Sequence, residues 1–261
     1  MIDAFGPAWL WPLLAAPFVG SFLGVLITRL PAGAPVALAR SACPHCATRL
    51  RPLDLVPLVS FAMLRGRCRQ CRTPIALFYP AVELAAVAIA IWAALADPDP
   101  WRIWADCALG WTLLTLAWID WTDFLLPDVL TLPLLLAGLT VTWAAQPDAL
   151  VDHCLAAALG YLSFQALALA YRRLRGRDGL GGGDAKLLAA AGAWCGLLPL
   201  PLVVFAGAVF GLLAALGLAL AGRTVTSTTR IPFGPFIALA FWMMWVQRDQ
   251  ADDLMRLLGS L

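Results

Sequence analysis

An all-α polytopic membrane protein with about eight transmembrane helices and a cytoplasmic zinc-binding loop is the fold class this sequence predicts, and three observations predict it. Of 261 residues, 62% are hydrophobic and only 13% are charged, whereas soluble domains carry about a quarter of their residues as charges. A helix needs about 20 mostly apolar residues to cross a hydrocarbon layer roughly 30 Å thick, so this length holds about eight crossings with short connections. Finally, the arginines gather in alternating connections, and four cysteines share the first of them. A net charge of +2 is too small to imply a nucleic-acid partner, and leaves membrane lipid as the first environment to consider.

In chain order, apolar runs predict spans near 8–28, 79–96, 101–119, 129–145, 151–171, 186–198, 201–221 and 231–247. Several are short or contain Pro. Pro199 and Pro201 allow an alternative of seven spans with one broken, re-entrant segment, whose freed backbone groups neighbouring protein would have to satisfy. The first run carries Asp3 and no basic flank before it, so it reads as a span that stays and not as a cleaved signal. The resulting organisation is a first transmembrane helix (1–28), a cysteine-bearing loop (29–78) and a transmembrane core (79–261).

Basic residues fix the orientation, because Arg and Lys near span ends are retained on the cytoplasmic side. Arg29, Arg40, Arg49, Arg51, Arg65, Arg67, Arg69 and Arg72 crowd the first long loop against one acid, Asp54. Arg172, Arg173, Arg175, Arg177 and Lys186 follow four spans later, and Arg223 and Arg230 two spans after that. The opposite connections read Asp97-Pro98-Asp99-Pro100 and Gln146-Pro147-Asp148, and the ends carry Asp3, Asp249, Asp252 and Asp253. This alternation predicts both termini outside, and 29–78, 120–128, 172–185 and 222–230 in the cytoplasm.

Cys43-Pro44-His45-Cys46 and Cys68-Arg69-Gln70-Cys71 are two Cys-x-x-Cys knuckles 21 residues apart in that first loop. Four thiolates at this spacing match a closed tetrahedral Zn2+ site. A reducing cytoplasm argues against disulfides, and a redox-active Cys-x-x-Cys is the rival reading. Four protein ligands leave no position for substrate or water, so the expected role of Cys43, Cys46, Cys68 and Cys71 is structural. His45 is expected to be solvated or to back the ligands. Cys107, Cys154 and Cys195, isolated in apolar runs, read as small core residues.

Three acids fall in 120–128. Asp128 follows Pro127 and reads as the cap of the next helix, while nothing marks Asp123. Asp120 ends the unbroken run from Trp111 to Ile119, where a carboxylate is costly and reads as functional by default. Asp184 has the matching place at another boundary, behind Gly181-Gly182-Gly183; a helix N-cap is its plain alternative. A phosphate-loop reading of the glycines fails, since no Gly-Lys-Ser/Thr follows and no strand precedes. The glycines read instead as a side-chain-free approach for a peptide backbone. Lys186, the chain's one lysine, has Asp184 or lipid phosphate as candidate partners. If Asp120 and Asp184 converge on one water they can share a proton, one acting as base and the other as acid.

These motifs resemble the type IV prepilin peptidases, which also process the pseudopilins of type II secretion, over about residues 20–236. The resemblance is carried by Gly20-Ser21-Phe22-Leu23-Gly24-Val25-Leu26-Ile27-Thr28-Arg29-Leu30-Pro31, by Asp54-Leu55-Val56-Pro57-Leu58-Val59-Ser60 and by Arg65-Gly66-Arg67-Cys68. Tyr79-Pro80-Ala81-Val82-Glu83-Leu84, Asp120 through Asp128, Gly183-Asp184-Ala185-Lys186-Leu187-Leu188 and Ile231-Pro232-Phe233-Gly234-Pro235 complete it. It implies an inner-membrane, multi-pass aspartic endopeptidase that removes the basic leader of prepilins or pseudopilins after a glycine at the cytoplasmic face. It further implies N-methylation of the new amino terminus from S-adenosylmethionine. By the same resemblance Asp120 and Asp184 are the catalytic pair and the four cysteines the zinc ligands. Gly24 stands where the family has Asn, which leaves a peptidase without methyltransferase activity as an alternative; no methyl-donor motif is legible.

The substrate's apolar helix is expected against small-residue faces such as Ala156-Ala157-Ala158 and Gly207-Ala208. Two other classes compete. A proton-coupled transporter would carry acids at mid-span, where Glu83, about one turn inside the second span, is the best candidate; its plain reading is a cap or an interhelical hydrogen bond. A non-enzymatic scaffold docking through the zinc loop would tolerate loss of both aspartates.

Overall fold

The computed structural model describes residues 9–36, 41–176, 181–222 and 231–248. Asp3, Arg40, Arg177, Gly179, Leu180, Arg223, Arg230, Asp249, Asp252 and Asp253, used above for orientation and for the glycine run, lie outside the described residues. Among the described residues the chain is helical, with two isolated β-bridges in the cysteine loop. The α-helices are α1 (Leu10–Arg29), α2 (Val59–Met63), α3 (Phe78–Ala96), α4 (Pro100–Asp123), α5 (Asp128–Ala145), α6 (Leu150–Arg175), α7 (Gly182–Cys195), α8 (Leu200–Leu220) and α9 (Gly234–Val246).

Each of the eight expected spans overlaps one helix among the described residues. Five of them, α1, α3, α5, α6 and α8, are long and apolar enough to cross a membrane. The other three fall short for physical reasons. Helix α4 carries Arg102, Asp106, Asp120 and Asp123. Helices α7 and α9 have 14 and 13 residues, which at 1.5 Å per residue reach only about 20 Å. The break near Pro199 falls between two helices, where Gly196 takes φ +77° and ends α7.

The chain divides into two compact units, Met1–Thr115 and Leu116–Leu261, with the boundary inside α4. In the first unit α1 lies against α3 at a close approach: a Cβ on Gly20 would stand 2.6 Å from Glu83 Cα. Trp111 donates its indole N–H to the Ala86 carbonyl at 3.0 Å. Glu83 is buried and accepts the Leu58 N–H at 2.8 Å, with the Ser21 hydroxyl also within hydrogen-bonding reach. Glu83 thus accepts from the residue preceding α2, where a cap or an interhelical hydrogen bond was the plain expectation.

In the second unit α7 is the central helix, packed against α5, α6 and α9. Every residue from Asp184 to Trp194 except Lys186 is buried. The small residues on its surface allow this: a Cβ on Gly192 would meet the Ala156 carbonyl carbon and oxygen at 2.5 Å. One end of α7 is fixed by His153, whose Nδ1 lies 3.0 Å from both the Ala193 carbonyl and Thr142 Oγ1, and by Asp152, which accepts the Leu197 N–H at 2.9 Å. The indole of Trp194 donates to the Leu134 carbonyl at 2.8 Å.

This packing corrects four expectations. The small-residue faces proposed for a substrate helix are in part already used within the chain, Ala156 against Gly192 and Gly207 against Ile237, while Ala158 and Ala208 are exposed. Small residues favour whichever neighbour is tethered nearby, and that neighbour is intramolecular. Cys154 is exposed on α6, whereas Cys107 is buried and Cys195 partly so. An apolar run in a membrane helix faces lipid as readily as core, so hydrophobic surroundings in sequence did not imply burial. Asp128 is the first residue of α5 and makes no capping hydrogen bond; Pro127 occupies the cap position. Lys186 pairs with Asp128 in place of the expected Asp184.

Candidate functional site

The site is assembled from one end of the second unit. The last turn of α4 carries Asp120 inward, while Asp123, one turn on, is exposed and accepts the Thr122 hydroxyl at 2.6 Å. Helix α4 then stops, with Phe124 in the left-handed region at φ +54° and its N–H on the Asp120 carbonyl. The turn that follows buries Leu126. From the other side α7 begins at its N-cap Gly181, and Asp184 is its third residue. The N-cap alternative for Asp184 therefore does not hold. Its carboxylate reaches back towards the Gly181 N–H, the arrangement of half a capping box.

Asp120 and Asp184 are 6% and 8% exposed. Both border Leu126, Asp184 through its neighbour Gly183 and Asp120 through its donor Gly234. Leu126 forms the floor between their supports, since Cβ atoms on Gly183 and on Gly234 would meet its side chain at 2.7 Å and 3.3 Å. So Gly183 serves packing against Leu126 and not an open approach for a backbone. The turn after α4 and the first turns of α7 meet at one end of the unit, through Leu126 with Gly183 and Asp128 with Lys186, and Thr142, His153 and Ala193 mark the opposite end.

One participant carried no role in the sequence reading. The first residue of α9, Gly234, donates its N–H to Asp120 Oδ2 at 3.0 Å in a buried setting. A helix N-terminus leaves its first N–H groups without intrahelical partners and carries a partial positive charge, so a carboxylate there gains both a hydrogen bond and a favourable dipole. A Cβ on Gly234 would stand 2.6 Å from the same oxygen. The sequence signal was the segment Ile231-Pro232-Phe233-Gly234-Pro235, with Pro in the first turn of an apolar helix.

The cysteine loop of the first unit forms two alike half-sites. In each, the first cysteine's N–H bonds the carbonyl of a threonine five residues on, Cys43 to Thr48 and Cys68 to Thr73, at 3.0 and 2.8 Å. The residue four positions after the first cysteine, Ala47 or Arg72, returns its N–H to that cysteine from a left-handed conformation. The β-bridges Ala42 to Arg49 and Arg67 to Pro74 close each loop. All four sulfurs lie within 4.8 Å of one another, and Cys43 Sγ is 3.8 Å from Cys71 Sγ. A tetrahedral thiolate site with metal–sulfur bonds of about 2.3 Å has sulfur–sulfur edges of about 3.8 Å, so the cluster fits a metal ion. The Thr48 and Thr73 side chains hold the second thiol of each knuckle below its ordinary range, Cys71 at about 6. That favours the thiolate, the form that binds metal. His45 is exposed and outside the cluster.

Residues 14–96 match the bacterial peptidase A24 N-terminal domain, and residues 107–216 match the type IV leader peptidase family. A prepilin leader peptidase/N-methyltransferase of Aeromonas hydrophila is 37% identical, over 93% of this chain and 93% of the relative. Proteins of the same name from Pseudomonas aeruginosa and Burkholderia pseudomallei strain 1026b are 37% and 42% identical. They cover 91% and 84% of this chain, and 90% and 79% of their own lengths. No solved structure matches the chain. With both family models matched in order, across the cysteine loop and across both aspartates, the chain belongs to the type IV leader peptidase family.

Proposed function

We propose that this protein is an aspartic endopeptidase of the bacterial inner membrane that cleaves the basic leader of type IV prepilins and pseudopilins after a glycine, at the cytoplasmic face. The observation that carries the reading is that Asp120 and Asp184 are both buried at one end of the second unit around Leu126, which packs on Gly183 beside Asp184 and on Gly234, the donor to Asp120. Two carboxylates facing one water do not both ionise easily, and such a pair titrates as a unit. In its singly protonated form one carboxylate takes a proton from a bound water as that water attacks the scissile carbonyl. The other carboxyl protonates the departing amine, and the peptide bond breaks to give a free acid and a new amino terminus. The Gly234 N–H and the positive end of α9 favour negative charge on Asp120, so Asp120 is the better candidate for the base and Asp184 for the acid. The arginine-rich connections support the cytoplasmic orientation, and eight crossings would follow if α4, α7 and α9 also span.

Zn2+ is the metal proposed for Cys43, Cys46, Cys68 and Cys71, where it would cross-link the loop and supply no chemistry to the reaction. Methylation of the new amino terminus from S-adenosylmethionine is proposed from the names of the relatives alone. At Gly24 a Cβ would stand 3.4 Å from the Tyr79 ring, so this chain presents aromatic surface there and no amide; no residue is assigned to the donor.

Asp120→Asn and Asp184→Asn should each abolish prepilin cleavage in membranes, by the 10²–10⁴-fold or more that a proton-transfer group contributes (roughly). Full processing by either variant would sink the catalytic assignment of that aspartate. Replacing Cys43 and Cys68 by Ser should lower bound metal and protein yield, and unchanged metal content would refute the tetrathiolate site.

A further inference from the structure

The cysteine loop does not stand away from the membrane-spanning helices. Leu58, the residue before α2, donates its N–H to Glu83 at 2.8 Å, and Glu83 is the sixth residue of α3. Helix α3 has 19 residues, which at 1.5 Å each span about 28 Å, nearly the whole hydrocarbon thickness. Phe78 therefore lies near one hydrocarbon boundary, and the start of α2 is held within about the first two turns of α3 below it. The headgroup layer is only about 7 Å deep. A segment tied at that level is in the interface and not above it.

Its composition suits that depth. Val59 and Met63 are four residues apart on one face of α2, 53% and 78% exposed, and Leu53 and Leu55 on the preceding 3-10 turn are exposed as well. In the same loop Arg49, Arg51, Arg65, Arg67 and Arg72 are exposed. The loop's one acid between residues 41 and 77, Asp54, is engaged by Arg69. Exposed apolar side chains on a segment held at headgroup depth, in a loop whose exposed arginines outnumber its acids, complement an anionic lipid surface: methylenes enter the acyl boundary while guanidinium groups reach phosphate. A basic peptide leader, the substrate proposed above, would meet like charge on the same face.

We propose that the cysteine loop is seated on the bilayer the chain itself spans, with Val59 and Met63 in the acyl boundary and the exposed arginines on anionic headgroup phosphates. The seat does not depend on the catalytic assignment, and it gives the loop a second attachment besides its two flanking helices.

Hydrogen–deuterium exchange of the full chain in nanodiscs tests this, comparing phosphatidylcholine alone with phosphatidylcholine plus phosphatidylglycerol, without substrate. Amides in 58–67 should exchange slower by about fivefold or more in the anionic discs, and the difference should shrink in high salt. Arg65→Gln with Arg67→Gln should remove the dependence on lipid charge, and Val59→Asp with Met63→Asp should raise exchange in both lipids, while segment 41–50 keeps its protection as a sign that the loop stays folded. Equal exchange of the unaltered chain in the two lipids overturns the proposal, and so does protection that appears only when a prepilin peptide is added, which would assign the surface to peptide. The lipid comparison on the unaltered chain decides by itself, so a variant that misfolds leaves nothing open.

Discussion

Helices α7 and α8 are neighbours in sequence and opposites in environment. The 14 residues of α7 are buried almost throughout, including a carboxylate, whereas the 21 residues of α8 bury only Leu200, Val203 and Gly207. Yet α8 is the more hydrophobic: it has no charged residue, and α7 has Asp184 and Lys186. In water the apolar helix would be the core and the mixed one the surface. In a bilayer lipid solvates apolar side chains as well as protein does, so burial goes to the helix whose small residues let others come close. The carboxylate of Asp184 then sits on the enclosed helix, because protein can satisfy it there and lipid cannot.

The strongest way to break this contrast is to enlarge the enclosed helix. Gly192→Leu puts a side chain where even a Cβ would meet the Ala156 backbone at 2.5 Å, and backbone on α6 cannot give way as a flexible side chain can. The expected cost exceeds about 3 kcal/mol, seen as loss of folded protein in detergent and a lower midpoint in denaturant. Normal yield and midpoint would mean that α7 is not packed on α6 as described.

Gly234→Ala sharpens the contrast at the site. Helix α9 both walls α7 and hands its first N–H to Asp120, and the added methyl would stand 2.6 Å from the accepting oxygen. A hydrogen bond to a charged group is worth about 1.5–3 kcal/mol, so cleavage should fall by about 10- to 100-fold with the fold retained. Because the bond biases one carboxylate towards its charged form, the pH profile of cleavage should also move: the acidic limb shifts to higher pH when that support is lost. A merely structural glycine would lower yield and leave the limb in place.

How much of this was legible in the sequence follows the same division. The positions of the helices were legible, since long apolar runs between Pro- and Asp-rich connections leave little freedom. So was the cysteine cluster, from spacing. Partners across the bundle were not. Nothing in the string joins Lys186 to Asp128, 58 residues away, or Gly234 to Asp120, 114 residues away. Both arise from which helix ends meet, and periodicity along one helix carries no such information when every face is apolar. For the same reason Cys154, exposed on α6, read as core.

Leu212→Ala on α8 carries the smallest expected effect and the most exacting test of the lipid argument. Leu212 is 70% exposed on a helix with no charge. A buried leucine truncated to alanine costs about 2–5 kcal/mol in a water-soluble core, because the lost methylenes leave a cavity and forfeit transfer from water. Against lipid neither term applies: acyl chains close over the smaller side chain, and the reference state is already in the membrane. Alanine is also the better helix former. The expected change in unfolding free energy in bilayer-like micelles is therefore within about 0.5 kcal/mol, with cleavage unaffected. A loss above about 2 kcal/mol would mean that this face of α8 is covered by protein, such as a second copy of the chain, and that its exposure reflects an absent neighbour instead of lipid.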